Sequence, residues 1–282
     1  MTTEGTPAGR VWLITGATSG FGRAIAEAAL AAGDIVVAAA RRPEAAGDLV
    51  AAHPDRAFAV RLDVTDTARA AAVAGEVVRR HGRIDVLVNN AGRSQIGAVE
   101  ETTEEELREL MELHFFGPVA LVRAVLPHMR RQGSGVIVQM SSMGGQMSFA
   151  GFGAYSATKF ALEGLSEALA DEVAPFGVRV LIVEPGAFRT ALFGDALYRS
   201  AAMEAYEETV GATRTMASGA DGKQPGDPAL AAAAILTALE ADPMPLRLPL
   251  GDDAVDALTA HAERVRGELR TWEAVARDTR FG

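Results

Sequence analysis

Residues 11–22 read VWLITGATSGFG: a β-prone apolar run that breaks at Gly16 and carries two further glycines, Gly20 and Gly22. So short a run of branched and aromatic residues fits a buried strand. The glycines behind it, spaced G-x-x-x-G-x-G, let a backbone come close to a bulky anion. The alanine-rich stretch that follows would point its first N–H groups at the same place. An ordinary glycine-rich turn has similar composition, so the surroundings of this stretch must decide between the two.

Working outward, the same rhythm repeats. DIVVAAA (34–40), AFAVRLDV (57–64), DVLVNN (85–90), GVIVQMS (135–141) and VRVLIVEPG (178–186) are short, Val- and Ile-rich and barely alternating. That is the pattern of strands covered on both faces. Between them lie helical stretches at about 21–32, ending at Gly33, and about 67–81, ending at Gly82. A longer one starts behind Thr102–Thr103 and an EEE run (104–106), negative charge at its positive end, and passes His114 and Pro118 toward Arg131. Another runs from Tyr155 to about Pro175. A helix at about 228–241, a short PLRLPLG strand (245–251) and a C-terminal helix at about 252–277 complete the chain. The alternation predicts one α/β domain over residues 1–282, Rossmann-type and doubly wound, with a seven-stranded parallel sheet flanked by helices on both faces. Residues 187–227 show no clear strand and end in SGADGKQPGDP, which reads as a loop-rich lid.

Composition narrows the function. The net charge of −10, without a basic run, argues against nucleic acid or an anionic membrane as main partner. The absence of cysteine removes disulfides, thiolate metal sites and thiol nucleophiles together. The five histidines (53, 81, 114, 128, 261) have no metal-ligand spacing, so no metal is expected. The N-terminal MTTEGTPAGR is not signal-like, and a cytoplasmic protein is the expectation.

The second strand ends in AAARRP (38–43). An acid here would grip a ribose 2′-hydroxyl, whereas the forked guanidinium of Arg41 or Arg42 suits a 2′-phosphate, so the pattern favours NADP(H) over NAD(H). Two surface arginines at a strand end would look the same.

AYSATKF (154–160) is odd in another way. The chain has 27 Lys plus Arg but only two lysines, Lys159 and Lys223, and Lys159 falls four residues after Tyr155, one of three tyrosines. That spacing puts both side chains on one helix face. A phenol titrates near pH ~10, too high for acid–base work at neutrality. A nearby ammonium, and a positively charged nicotinamide, would favour the phenolate. Lysine also offers three donors on a compact head, which suits ribose hydroxyls, whereas arginine holds its proton too tightly for a relay.

Together with DV (63–64), NNAG (89–92), SS (141–142) and PGAFRT (185–190), these motifs resemble the short-chain dehydrogenase/reductase family, closely over about residues 10–190 and loosely beyond. Within it, NADP-dependent 17β-hydroxysteroid and retinol dehydrogenase-like bacterial oxidoreductases are the most similar in kind. The resemblance implies that Gly16, Thr18, Ser19, Gly20, Phe21 and Gly22 cradle the pyrophosphate. It puts Asp63 and Val64 beside the adenine and Asn90, Ala91 and Gly92 along the ribose. It puts Pro185 and Gly186 under the nicotinamide, with Phe188 and Thr190 at the carboxamide and phosphates. Ser142 would steady the substrate oxygen beside Tyr155 and Lys159, which also touch the cofactor. The chemistry implied is hydride exchange between a lipophilic ketone or alcohol and NADP(H), in a homo-oligomer, dimer or tetramer, built through the 103–131 and 155–175 helices.

One position departs from the family pattern. An N-x-x-G asparagine that binds a relay water is expected in the long helix, and His114 stands there instead. Histidine can donate, accept and shuttle protons, or simply pack between helices. The substrate side is expected to draw on Met143, Met147, Phe149, Phe152, Phe188, Leu192, Phe193 and Tyr198.

Overall fold

The computed structural model describes residues 9–194 and 196–281. Its main sheet has seven strands in the order β3-β2-β1-β4-β6-β7-β9, every pairing parallel. In chain order these are β1 (Val11–Thr15), β2 (Ile35–Ala40), β3 (Ala57–Arg61), β4 (Val86–Asn89), β6 (Gly135–Met140), β7 (Val178–Pro185) and β9 (Arg247–Leu250). A second pair, β5 (Ser94–Ile96) with β8 (Leu197–Arg199), lies outside it and was not foreseen in the sequence.

Alternation along β1 shows why both faces must be covered. Trp12 and Ile14 join one apolar cluster with α1 (Gly20–Ala31), α2 (Gly47–Ala52) and α8 (Pro228–Glu240). Val11 and Leu13 join the opposite one with α3 (Thr67–His81), α5 (Gly117–Gln132) and α6 (Gly153–Val173). Both clusters are buried, so the sheet is the middle layer of three. Asp66 caps α3 by accepting from the Arg69 N–H, and Gly82 ends it in the left-handed region that only glycine enters freely.

The predicted helix from Thr103 to Arg131 exists but is not uniform. Thr103 and Glu106 form a reciprocal capping box at the start of α4 (Glu104–Met111). The chain then passes through one π-turn (Glu112–Phe116) before α5. Such a widening re-aims a side chain, and here it turns His114 into the interior. Residues 104–132 are apolar enough by composition to cross a bilayer, yet their inward face packs on the sheet through Leu121, Val125 and Met129.

The expectation of a strandless, loop-rich lid is corrected. Residues 187–227 contain β8 and a fourteen-residue helix, α7 (Glu207–Ala220), the latter held by a buried ion pair between Arg214 and Glu101. Loop composition misled because α7 carries two glycines and draws its support from a residue 113 positions away. α9 (Asp252–Arg277) closes the chain as predicted.

Candidate active site

The strand order reverses between β1 and β4, so a crevice opens at their carboxyl ends. The Thr15 hydroxyl accepts from the N–H groups of Asn90 (2.9 Å) and Ala91 (3.1 Å), and Asn90 Nδ2 donates back to the Thr15 carbonyl at 2.9 Å. The two turns are thereby one rigid piece. Gly16 and Gly20 have φ of +66° and +52°. A Cβ on Gly22 would run into the Gly16 carbonyl and the Asn90 amide. Ser19 stands extended before α1 without capping it, and no acid occupies the first helical turn. The positive helix end is thus open to an anion, beside a cavity of about 400 Å³ bounded by Gly20, Arg189, Thr190, Ala191, Gly194 and Asp221. A pyrophosphate fits this cradle: Cβ-free backbone, unclaimed helix dipole and a nearby guanidinium converge on it.

The remaining predicted contacts ring the same crevice. Arg41 and Arg42 are exposed just past β2, and their side chains have no partner among the described residues. Asp63 uses one carboxylate oxygen on the Thr65 N–H and hydroxyl, at 3.1 and 2.8 Å. Val64 is buried, its carbonyl pressed on Gly117. Gly92 stands beside His114, and Gly186 donates to the Leu250 carbonyl at 2.9 Å. Phe21 and Phe188 pack ring to ring at 5.1 Å, with Phe188 in the apolar cluster under α1. Phe188 therefore offers the crevice its backbone, and its place in the substrate wall is corrected.

Ser142, Tyr155 and Lys159 meet deeper in. Ser142 follows β6 and accepts from the Gly144 N–H at 3.1 Å. Tyr155 lies in the first turn of α6, buried, and Lys159 Nζ is 5.7 Å from its ring centroid. Burial pushes the phenol up to about 12, with a hydrogen bond from Ser142 pulling the other way. Burial likewise pushes Lys159 down to about 8, opposed by the negative charge of Glu163. The Lys159 ammonium gives its hydrogen bond to the Met140 carbonyl (2.8 Å), not to the phenol.

A family model described as short chain dehydrogenase matches residues 10–199. The chain belongs to the short-chain dehydrogenase family. A short-chain dehydrogenase structure from Streptomyces avermitilis is 65% identical, with a TM-score of 0.92, and the match covers 96% of this chain and 99% of that one. Oxidoreductase BOA17 of Botryotinia fuckeliana is 38% identical over 95% of this chain and 98% of its own length. An alcohol dehydrogenase from Thermococcus sibiricus, complexed with 5-hydroxy-NADP, is 27% identical with a TM-score of 0.69, over 86% of this chain and 95% of its own. This dehydrogenase is accordingly an oxidoreductase.

His114 of the dehydrogenase is fully buried, and both ring nitrogens are engaged. Nε2 accepts from the Arg93 N–H at 3.1 Å, which leaves Nδ1 to donate to the Thr158 hydroxyl at 2.9 Å. Thr158 in turn donates to the Tyr155 carbonyl at 2.7 Å. Burial, with Lys159 and Arg93 adding repulsion, keeps the imidazole well below its usual pKa and neutral. In this arrangement it is a strut between α6 and the turn after β4.

Sequence reasoning missed a polar cluster directly behind Lys159. Ser141 Oγ donates to Glu163 at 2.6 Å, Glu184 accepts from Gln146, and Arg247 reaches Glu163, Glu184 and Glu167 at 3.3, 3.2 and 2.9 Å. Glu163 was findable, since it continues the Tyr155–Lys159 face by one more four-residue step. Phe152, Ile96, Leu110 and Val210 form a third buried apolar cluster around Tyr155, with Phe193 partly buried against it. Tyr198 is corrected as a pocket residue: it is exposed, under the Arg93 guanidinium.

Proposed function

We propose that this dehydrogenase interconverts a ketone and a secondary alcohol on a lipophilic small molecule, using NADP(H). The observation that carries the reading is the convergence of Ser142, Tyr155 and Lys159 on one buried corner of the switch-point crevice. In the reductive direction Tyr155 gives its proton to the carbonyl oxygen while hydride arrives at the carbonyl carbon. Ser142 donates to the same oxygen and steadies its developing charge. The nicotinamide supplies the hydride and, when oxidised, a positive charge. Lys159 sits where its ammonium can tune the phenol and hold ribose hydroxyls.

The choice of NADP(H) rests on Arg41 and Arg42, two unpaired guanidinium groups at the end of β2 with no acid in place of Ala40. The lipophilic substrate rests on the aromatic side chains next to the phenol: Phe152 lies 6.3 Å from the Tyr155 ring and 6.3 Å from that of partly buried Phe193. Self-association through α5 and α6 belongs to the same reading.

The test is NADPH oxidation over a panel of bulky ketones, with NADH and two variants run alongside. Tyr155→Phe is expected to cost at least about 10³-fold in turnover while NADPH still binds, as loss of a proton donor acting only in the transition state should. Arg41→Ala is expected to weaken NADPH about 10-fold and leave NADH unchanged. Undiminished turnover in Tyr155→Phe would remove the mechanism; equal loss for both cofactors in Arg41→Ala would remove the cofactor assignment.

A further inference from the structure

α9 is the anomaly of the fold. It spans 26 residues, a rod of about 39 Å, yet only Ala254 is buried. From Ala262 to Phe281 every residue is exposed. Helices in water owe most of their stability to a packed apolar face, and this one has such a face without a cover. Leu258, Ala262, Val265, Leu269, Trp272 and Ala276 recur at alternating steps of four and three, the spacing of a coiled-coil seam. Leu269 and Trp272 are 68% and 64% exposed. The stripe borders a cleft of about 500 Å³ between α9 and α6, whose opposite side carries Phe160 and Gly164.

We propose that a second copy of this chain lays its own α9 antiparallel along this stripe, so that α9 is a dimer contact. The choice of occupant rests on charge. With the two-fold axis between Leu269 and Trp272, Leu269 of each copy meets Trp272 of the other, and Val265 meets Ala276. On the flank, Arg266 then faces Glu273 of the other copy, and the pairing is reciprocal. Arg266 has no ion pair among the described residues, and Glu273 is engaged only by Arg277 within its own exposed helix, at 2.8 Å. A parallel pair would set Arg266 against His261 and Glu273 against Glu268 of the other copy, and lose this match. The contact is independent of the cofactor and of Tyr155.

Sedimentation equilibrium of the full chain tests it, with circular dichroism confirming that the fold and α9 remain. Trp272→Glu is expected to raise the dissociation constant of this contact at least about 100-fold, as for a central aromatic anchor, and to leave NADPH affinity unchanged. Arg266→Glu alone should raise it about 10-fold, and adding Glu273→Arg should restore most of that loss. In this cysteine-free chain, oxidised Leu269→Cys/Trp272→Cys protein should cross-link between copies. An unchanged mass in Trp272→Glu, or no rescue by the second charge reversal, overturns the proposal. So does cross-linking to a cysteine placed at Phe160 in preference to the partner's α9.

Discussion

The turn after β1 and the segment after β7 border the same crevice, yet they are held in place by different means. Around β1 the fixing contacts are short and centre on the backbone: left-handed glycines, a carbonyl against Gly22, and two compact side chains, the Thr15 hydroxyl and the Asn90 amide, bonded to main-chain groups. After β7 the work falls to long charged side chains. Arg214 reaches Glu101, Arg247 reaches three carboxylates, and Asp253 accepts from the Ala187 N–H at 2.7 Å. A backbone-built site presents one shape to a group shared by every dinucleotide. A side-chain-built wall can be re-specified without disturbing the sheet, which suits the half that, under the proposed function, meets a variable substrate.

The sharpest way to break that comparison is to unstitch the second region alone. Glu101 is fully buried, accepts from the N–H groups of Ala98 and Met203, both at 2.7 Å, and pairs with Arg214. Burial by itself would raise this carboxyl; the two backbone donors and Arg214 hold it below its ordinary value instead. Glu101→Leu leaves Arg214 only a 3.7 Å contact with the exposed Glu207, so stability should fall by about 3 kcal/mol and Tm by on the order of 10 °C. Proteolysis should open α7 first while NADPH still binds. If cofactor binding fell together with α7 protection, the two regions would be one cooperative unit and the contrast would be wrong.

The converse variant strikes the backbone-built side. Gly22→Ala puts a methyl into the Gly16 carbonyl and the Asn90 amide, an overpacking cost of about 1–3 kcal/mol concentrated on the pyrophosphate turn. Dinucleotide affinity should drop by about 100-fold, while apolar-ligand binding at the Phe152–Phe193 wall is spared. Gly164 is the control, because nothing stands within 4 Å of its added Cβ and it lies inside α6. Gly164→Ala should stabilise by about 0.5–1 kcal/mol. Equal effects of the two substitutions on cofactor titration would mean that the close approach at Gly22 has no bearing on binding.

The same contrast governs what could be read from the sequence. The β1 turn was legible because its determinants are local: three glycines at fixed spacing behind an apolar run. Tyr155 and Lys159 stood out because lysine is rare in this chain and the pair shares one helix face. α7 was missed because its sequence, EETVGATRTMASGA, is a weak helix former whose support comes from Glu101 across the chain. β5 and β8 have three residues each, too few for a period. The role of His114 depended on a π-turn that has no local signature, and its two partners come from separate elements. The raised phenol of Tyr155 could not be foreseen from residue identity, since depth of burial decides its sign.

The smallest effect concerns the cluster behind Lys159. Burial is the main force raising Glu184, to about 7, with Glu163 adding repulsion while Gln146 and Arg247 pull it back. The protonated form is thus favoured in the folded chain, and between the ordinary carboxylate range and pH 7 the folded state holds a proton that the unfolded state has released. Stability from this site is complete at acid pH and drains away as pH rises through 7. Neutral, buried His114 acts in the opposite sense, losing stability as pH falls below its ordinary range, so only a difference between proteins isolates Glu184. Denaturant melts at pH 5 and pH 8, for the wild type and Glu184→Gln, supply that difference. The variant, permanently neutral, should abolish a wild-type loss on the order of 2 kcal/mol between the two pH values. A wild-type loss that survives unchanged in Glu184→Gln would mean that Glu184 carries no extra proton in the folded chain, and would make this cluster a fixed ion network around Arg247.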